Sequence, residues 1–431
     1  MKRPFARKLL AVSLATATLG SLAACSSEAA PTAEGVTSVT VWNRATGDAS
    51  VKLSEMIETF NGLQDDYNVE TQTFPADGFN VKVLQAINAD QAPNVVLSDG
   101  NPSQLGETVK TGKLIALDDL FGTGDYPLAA SDIPQGMLKT GVFDGKTYGL
   151  PTEGGTYAVI YNKAQFEEAG ITETPTTWAE LADAAEKLTT DSRHGMYLPI
   201  GSDEWPVYTW QSMLWSAGGE FLSEDNTSVE FDSPEGVEAL TTWTDMVESG
   251  VAYPSSVADS NQKDGWPAFN AGLVSMFIGQ LTALSNAQEG LGDENVGVFT
   301  FPEISEPAAN TGTNLSYIID GTETEDAGSY AFLSWFLQPE QQAVWDITSN
   351  YLPTNVSTQS TETYAAYLEE NPEVQVFIDQ FAYANSRPSI LNYTEISAAL
   401  GAELEKAMLL QQSPEEALSN AAKAAQEALD N

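Results

Sequence analysis

Short apolar segments alternate with amphipathic segments near the start of the chain, and this alternation constrains the fold more than any other feature. Residues 39–42 and 94–97 have the length and apolar content of short strands, and residues 68–74 alternate as a strand does. Between them, apolar side chains recur at helical spacing over residues 49–60 and 81–87. The order strand, helix, strand, helix, strand predicts a doubly wound α/β domain with parallel strands.

The rest of the 431-residue chain continues with strand and helix signals. Asp144-Gly145 predicts the turn of a hairpin, and Thr177 with Glu180 predicts a capping box at a helix N-terminus. Beyond Asp326 the hydrophobic periodicity is mostly helical. The chain is therefore long enough for two α/β domains and a helical C-terminal part.

The N-terminal segment has the pattern of a secretory signal, with a basic head followed by an apolar run. It ends in Leu22-Ala23-Ala24-Cys25, which resembles a bacterial lipobox, and Cys25 is the only cysteine in the chain. We expect residues 1–24 to be a lipoprotein signal peptide. A lipid such as palmitate on Cys25 and a flexible linker over residues 25–38 would follow. The alternative is an ordinary secretory signal that ends near a cysteine.

The charge of the chain restricts its partners. The formal net charge is −43, and it becomes −47 once the four basic residues of the signal are removed. Nucleic acid is excluded as a partner because phosphate contacts need clustered Lys and Arg. Anionic lipid headgroups would also repel such a surface, so membrane attachment would depend on the lipid on Cys25. Beyond the signal, no apolar run reaches the roughly 18 residues that span a bilayer.

Arginine is scarce after the signal, where only Arg44, Arg193 and Arg387 occur. In so acidic a chain each is a candidate for a specific role. The alternative for each is a surface ion pair that contributes little to stability.

Sequence motifs for catalysis and metal binding are absent or incomplete. Gly145-Lys146-Thr147 resembles the end of a phosphate loop, but Gly141 lies one residue too close and no helix follows. His194, the only histidine, falls in a polar loop without metal-binding neighbours. The sequence therefore predicts no metal site and no cofactor. With 61 acidic residues, a glycosidase pair of carboxylates cannot be singled out, so a glycoside hydrolase stays as an alternative.

Four aromatic residues crowd one helix-like stretch: Trp205, Tyr208, Trp210 and Trp215. Trp210 and Trp215 fit a buried core, whereas Trp205, beside Pro206 at the start of the stretch, is better placed to face a cleft. Sugar rings present apolar C–H faces and a rim of hydroxyls. A site for them needs an aromatic surface together with planar hydrogen-bonding groups.

Short passages along the whole mature chain resemble the extracellular solute-binding proteins, family 1, of ABC importers. This family includes the maltose-binding and glycerol-3-phosphate-binding proteins. The passages that carry the resemblance are Val39-Thr40-Val41-Trp42, Ala92-Pro93-Asn94-Val95-Val96 (with Asn94 in place of the usual Asp), residues 144–151, Ile160-Tyr161-Asn162-Lys163, residues 175–181, Ala217-Gly218-Gly219-Glu220, Phe269-Asn270-Ala271-Gly272 and Tyr351-Leu352-Pro353-Thr354.

The resemblance implies a two-lobed periplasmic-binding-protein-like (type II) fold. Each lobe would be an α/β sandwich, the two would be joined by a hinge, and the C-terminus would be helical. The N-terminal lobe would comprise residues 39–154 and 311–353. The C-terminal lobe would comprise residues 155–310 and 354–431.

The resemblance also implies a set of ligand-binding residues, because such folds bind ligands at the carboxyl ends of strands. By position, these are Trp42, Asn43, Arg44, Asp77, Phe79, Asp99, Asn101, Glu153, Trp205, Gln280, Gly312, Thr313, Asn314, Tyr351 and Arg387.

The implied function is ligand capture without catalysis. A monomer, lipid-anchored on the extracytoplasmic face of the cell membrane, would bind a mono- or oligosaccharide and deliver it to permease subunits and an ATPase encoded elsewhere. The region of Arg387 is similar to glycerol-phosphate binders, so glycerol 3-phosphate or a glycerophosphodiester is the alternative ligand. We favour a neutral sugar because a strongly negative chain attracts anions poorly. A structural adhesin is a third hypothesis.

Overall fold

The computed structural model describes residues 35–76, 78–99, 102–253, 265–390 and 392–430. The expectations for the signal peptide and for lipidation of Cys25 lie outside the described residues. No helix in these ranges is both long and apolar enough to cross a membrane.

The described residues form thirteen strands: β1 (Thr37–Asn43), β2 (Tyr67–Thr73), β3 (Val95–Asp99), β4 (Val142–Phe143), β5 (Lys146–Thr147), β6 (Leu150–Thr156), β7 (Ala158–Asn162), β8 (His194–Tyr197), β9 (Ala252–Tyr253), β10 (Val274–Gly279), β11 (Val296–Thr300), β12 (Ala309–Ile318) and β13 (Ala384–Ser386).

The same residues form sixteen α-helices: α1 (Gly47–Leu63), α2 (Phe79–Asn88), α3 (Pro102–Val109), α4 (Gln135–Lys139), α5 (Lys163–Glu168), α6 (Trp178–Leu188), α7 (Glu204–Ser216), α8 (Pro234–Glu248), α9 (Trp266–Asn270), α10 (Leu281–Leu291), α11 (Glu323–Phe336), α12 (Pro339–Ser349), α13 (Glu362–Glu370), α14 (Glu373–Asp379), α15 (Tyr393–Met408) and α16 (Pro414–Leu429).

Two large sheets organise these elements, and β4 and β5 form a separate antiparallel pair. In the first, the order is β13-β12-β3-β1-β2, and β6 also pairs with β12. Strands β1, β2 and β3 are parallel, as the alternation in the sequence predicts. The second sheet has the order β11-β7-β10-β8-β9. The predicted α/β class is therefore confirmed, and each sheet with its helices forms one lobe.

Burial on both faces explains the apolar strands of the first lobe. Every residue of β3 is buried. Val95 and Leu97 belong to a core that also contains Phe332 of α11, while Val96 packs into a second core with Phe79 and Val83 of α2. A parallel strand covered on both sides reads as a continuous apolar run, which is why the sequence revealed it.

The core of the second lobe is built around α7, whose buried residues include Trp210 and Trp215. Helices α15 and α16 complete this core through residues such as Leu400 and Leu418. Helix α6 begins with the predicted capping box: the Thr177 hydroxyl accepts from the Glu180 N–H, and the Glu180 carboxylate accepts from the Thr177 N–H. Such a cap contributes about 1 kcal/mol.

Three adjacent strands carry the chain between the lobes. The end of β6 and the start of β12 pair antiparallel, with Thr156 opposite Thr311. Strand β13 pairs on the other side of β12, with Ser386 opposite Thr311. Gly154 exchanges two backbone hydrogen bonds of 2.9 Å with Leu352, and a side chain at Gly154 would approach the Leu352 carbonyl oxygen to 3.0 Å.

Some local predictions differ from the structure. The strand predicted near Leu315 is longer, because its first half forms the connection between the lobes. His194 was placed in a polar loop, and this is wrong. It is the first residue of β8, where its backbone N–H donates to the Leu273 carbonyl. Residues 384–386 form a strand within the mainly helical C-terminal part.

Candidate ligand-binding site

A cavity of about 420 Å³ lies between the lobes, beside the three connecting strands. It is lined by Glu153, Gly155, Tyr157, Asp203, Glu204, Trp205, Tyr208, Gln280, Gly312, Thr313, Asn314, Tyr351 and Arg387. We call it the first chamber. Eight of the residues that the sequence resemblance assigned to ligand binding line it: Glu153, Trp205, Gln280, Gly312, Thr313, Asn314, Tyr351 and Arg387.

Three aromatic rings form one wall of the first chamber. The ring of Tyr157 meets Trp205 edge-to-face at 4.6 Å between centroids and meets Tyr208 at 5.1 Å. Helix α7 positions Trp205 and Tyr208, and it begins there because the Asp203 side chain accepts a hydrogen bond from the Trp205 N–H. Rings arranged in this way offer an apolar surface of the kind that a sugar face can cover.

Two hydrogen-bonding groups of this wall lack partners. In the described residues, neither the buried indole N–H of Trp205 nor the buried hydroxyl of Tyr208 has a hydrogen-bond partner. Burial raises the pKa of Tyr208, so its phenol stays neutral and able to donate. Leaving such a group unpaired costs about 1–3 kcal/mol. A ligand oxygen that paired with either group would recover part of that cost.

Arg387 approaches the same wall from the end of β13. Its guanidinium lies 4.5 Å from the centroid of the Tyr208 ring, and its Nη1 donates to Glu204 Oε1 at 2.8 Å. Glu204 also accepts hydrogen bonds from the Tyr393 and Ser397 hydroxyls of α15. The arginine side chain is only 11% exposed, so the wall of the chamber contains a cation whose charge is already matched.

Glu153 supplies a carboxylate to the lining of the first chamber, and we call this part of the lining the floor. One carboxylate oxygen accepts from Asn314 Nδ2 at 2.5 Å and the other accepts from Trp345 Nε1 at 3.1 Å. Burial raises the pKa of Glu153, while the Asn314 hydrogen bond and the positive charge of Arg44 oppose the rise. The floor is therefore a buried acceptor held in a fixed orientation.

A second chamber of about 350 Å³ shares Glu153 and Tyr351 with the first. It is lined by Asn43, Arg44, Ala45, Thr46, Asp48, Ala49, Ala76, Leu97, Ser98, Glu153, Thr282, Trp345, Thr348, Ser349 and Tyr351. Arg44 Nε donates to the Ser98 carbonyl at 2.8 Å. Within the described ranges, no carboxylate forms an ion pair with Arg44.

Asn43 lines the second chamber, but its amide is already hydrogen-bonded to its neighbours in the loop and in β2. Asn43 Oδ1 accepts from the Ala45 N–H at 2.9 Å, and Nδ2 donates to Thr71 Oγ1 at 2.6 Å. These bonds fix the loop that follows β1. Asn43 therefore positions Arg44.

Three described residues that the resemblance assigned to ligand binding line neither chamber: Trp42, Phe79 and Asp99. Phe79 is buried in the core. The Asp99 carboxylate is buried and accepts from the Tyr317 hydroxyl at 2.7 Å. Trp42 packs against Phe74 and Lys82. Asp77 and Asn101 lie outside the described residues.

Four lining side chains were not assigned to ligand binding from the sequence, although Tyr208 was noted in the aromatic stretch: Tyr157, Asp203, Glu204 and Tyr208. Tyr208 follows Trp205 by one helical turn, and this spacing placed it on the same face. Glu204 is one acid among 61, and nothing in the sequence separates it from the others.

Across the described ranges, no group of three or more His, Cys, Asp or Glu side chains could hold a metal ion.

Arg193 lies away from both chambers and pairs at 3.4 Å with Glu168, whose side chain is 71% exposed. Arg193 therefore matches the alternative stated for each arginine from the sequence, which is a surface ion pair.

The fold and the cavity together define a ligand-binding protein with two α/β lobes. Three strands connect the lobes, and a polar and aromatic cavity lies between them. A family model described as "Bacterial extracellular solute-binding protein" matches residues 55–373. The chain belongs to this family, which confirms the resemblance found in the sequence. Membership implies a location outside the cytoplasm.

Solved structures and curated relatives agree with this assignment. The chain is 28% identical to the cyclic alpha-maltosyl-1,6-maltose binding protein of Arthrobacter globiformis, with a TM-score of 0.83 over 92% of this chain and all of that one. It is 25% identical to the GacH receptor of Streptomyces glaucescens, with a TM-score of 0.77 and coverage of 92% and 99%. The sn-glycerol-3-phosphate-binding periplasmic protein UgpB of Escherichia coli is 23% identical over 415 residues, or 90% of this chain and 92% of UgpB. The glycoside hydrolase alternative finds no support among these binding proteins.

Proposed function

We propose that the protein captures a neutral carbohydrate in the first chamber and delivers it to the permease of an ABC importer. The observation that carries this proposal is the aromatic wall with its two unpaired hydrogen-bonding groups, on Trp205 and Tyr208. In the same chamber, Glu153, Asn314 and Gln280 supply planar polar groups. An apolar surface facing a few fixed polar groups is the combination that sugar rings require.

The connecting strands support a hinge in this proposal. The residues at which β6, β12 and β13 pair would absorb a rotation of one lobe against the other. The boundaries that we propose for the lobes are those expected from the sequence, with residues 384–386 assigned to the hinge because they pair with β12. A ligand drives closure only by as much as it prefers the closed state, so contacts from both lobes are needed.

The relatives support a carbohydrate ligand. The Arthrobacter protein is described as binding cyclic alpha-maltosyl-1,6-maltose, and GacH was solved in complex with acarbose. UgpB is described as binding sn-glycerol 3-phosphate, which keeps a phosphate-bearing ligand as the alternative. The net charge of −43 favours the neutral class because anions are repelled over the whole surface.

Membrane attachment and mode of action complete the proposal. The protein would be a monomer held by lipid on Cys25, and it would release its ligand unchanged. Cys25→Ala should move the protein from the membrane fraction to the soluble fraction of the producing cells. Recovery of both forms in the membrane fraction would contradict lipid attachment at Cys25.

A thermal-shift screen of the purified protein tests the ligand class. The panel should contain mono- and oligosaccharides together with sn-glycerol 3-phosphate and glycerophosphodiesters. A ligand present at 100 times its Kd should stabilise the fold by about 2.7 kcal/mol. Stabilisation by phosphorylated compounds alone would overturn the neutral ligand, and steady release of smaller sugars would show catalysis.

A further inference from the structure

We infer that Glu204 sets the charge selectivity of the first chamber by occupying Arg387, so that neutral hydroxyl groups are accepted and phosphate is rejected. This inference rests on the proposed function of the chamber as a ligand site. Glu204 acts through Arg387 and is therefore a positioning residue.

The Glu204 carboxylate does not cap the helix that carries it. It is the first residue of α7, but the Asp203 side chain already caps that helix. Instead, three donors from outside α7 converge on it: Arg387 Nη1 at 2.8 Å, the Tyr393 hydroxyl at 2.9 Å and the Ser397 hydroxyl. A carboxylate that accepts this many hydrogen bonds is fixed in one orientation.

The network also fixes the arginine. Arg387 is stacked on Tyr208 and is only 11% exposed, and Gln211 donates to the Tyr393 hydroxyl at 3.0 Å, which holds that hydroxyl beside Glu204. The guanidinium therefore cannot turn away from the carboxylate without losing the stacking contact.

This geometry has opposite consequences for neutral and anionic ligands. Phosphate is bound best by a guanidinium that offers two parallel N–H groups and an unmatched positive charge. Here one N–H is occupied by Glu204, and a phosphate at the remaining ones would lie close to a carboxylate of the same sign. A sugar hydroxyl meets no such repulsion and can accept from the N–H groups that Glu204 leaves available.

Glu204→Gln tests the inference because it removes the negative charge and keeps the size and one acceptor oxygen. The probes are sn-glycerol 3-phosphate and inorganic phosphate, compared with glycerol and maltotriose, by titration calorimetry at low and high salt. We expect E204Q to gain about tenfold or more in affinity for sn-glycerol 3-phosphate. The gain should shrink at high salt, because charge interactions at an open cleft are screened.

Two further variants separate a specific effect from a general one. Asp203→Asn removes one charge from the same wall and keeps a side chain that caps α7, and it should bring no gain for phosphate compounds. In the double variant E204Q/R387Q the gain should disappear, because it depends on the released guanidinium. If E204Q proves too unstable to titrate, Glu204→Ser carries the same expectation.

The outcomes distinguish this inference from the proposed function. Equal phosphate affinity in wild type and E204Q, or an equal gain in D203N, would overturn the role of Glu204. Tight binding of sn-glycerol 3-phosphate by the wild type would overturn it as well. If E204Q gains phosphate affinity while wild type binds none of the sugars of the screen, the role of Glu204 stands and the carbohydrate function fails.

Discussion

The two arginines of the cleft lie in different electrostatic surroundings. Arg387, in the first chamber, is 11% exposed and donates to Glu204 at 2.8 Å. Arg44, in the second chamber, donates through Nε to the Ser98 carbonyl, and no described carboxylate pairs with it. In a chain with a net charge of −43, an arginine without such a partner is unusual. Arg387 is therefore matched by a direct ion pair, whereas Arg44 attracts the buried carboxylates of Glu153 and Asp99 without a direct ion pair among the described residues.

Replacement of Arg387 should have the largest effect. Arg387→Ala removes the hydrogen bonds that we propose it donates to the ligand and leaves Glu204 without its cation, so we expect about a 100-fold loss of affinity for the carbohydrate. The free energy of unfolding should fall by about 1–3 kcal/mol, less than for a fully buried pair because Glu204 is 36% exposed. Calorimetry and urea unfolding measure the two effects.

Arg193→Ala is the matched control, since Arg193 also pairs with a glutamate but lies away from both chambers. Its ligand affinity should equal that of the wild type. An equal loss of affinity in both variants would mean that Arg387 acts on the fold and does not contact the ligand.

Replacement of Trp205 should have the next largest effect, because it removes the surface on which a sugar ring packs. Trp205→Ala should weaken carbohydrate binding by about 2 kcal/mol, or roughly 30-fold in Kd. Trp266→Ala, at a partly buried tryptophan that lines neither chamber, should retain the wild-type affinity. Undiminished binding by Trp205→Ala would remove the aromatic wall from the site.

Replacement of Arg44 should distinguish ligands by their length. Arg44→Ala should weaken a trisaccharide by about tenfold, because only a ligand longer than one ring can extend past Glu153 and Tyr351 into the second chamber. A monosaccharide should be affected by less than about threefold. Lys52→Ala, in an exposed ion pair on α1, is the control. Equal losses for both ligand lengths would show that the chambers do not work as successive subsites.

The sequence predicted the elements of the fold because their signals are local. The apolar run of β3, the capping box at Thr177 and the burial of Trp210 and Trp215 all follow from neighbours along the chain. His194 was misplaced because β8 is held by its pairing with β10, a contact that is distant in sequence.

A residue of the candidate site could be predicted from the sequence where its position in a strand, or in a connection between strands, is enough to place it at the cleft. Glu153, Asn314 and Arg387 line the first chamber because they belong to or follow the connecting strands. The end of a strand does not give the direction of a side chain, and Asp99 instead turns to Tyr317 in the core. The pairing of Arg387 with Glu204, 183 residues away in the sequence, could not be read from composition or spacing.

The smallest effect on ligand affinity is expected at Asp346, which lines neither chamber and whose buried carboxyl feels the charge of Glu153. Asp346 is fully buried, and neither of its carboxylate oxygens has a partner among the described residues. Burial raises the pKa of Asp346 well above its ordinary value of 3.8, and the charge of Glu153 adds to the rise. The neighbouring Tyr364 hydroxyl stays protonated, because burial and the charge of Asp346 raise its pKa as well.

The raised pKa of Asp346 fixes the sign of a pH dependence. A carboxyl whose pKa is raised by folding stabilises the native state below its ordinary pKa, and this contribution is lost as the pH rises through the raised value. Asp346→Asn should therefore unfold much like the wild type at low pH. Above the ordinary pKa of Asp346, it should become progressively more stable than the wild type, by up to about 1.4 kcal/mol per pH unit. Urea unfolding of both proteins between acidic and neutral pH measures this difference, and parallel pH profiles would show that Asp346 does not titrate in the fold. Because the charge of Arg44 opposes the rise in the pKa of Glu153, the loss of stability in Arg44→Ala should extend to higher pH than in the wild type, which would link Arg44 to the acid that both chambers share.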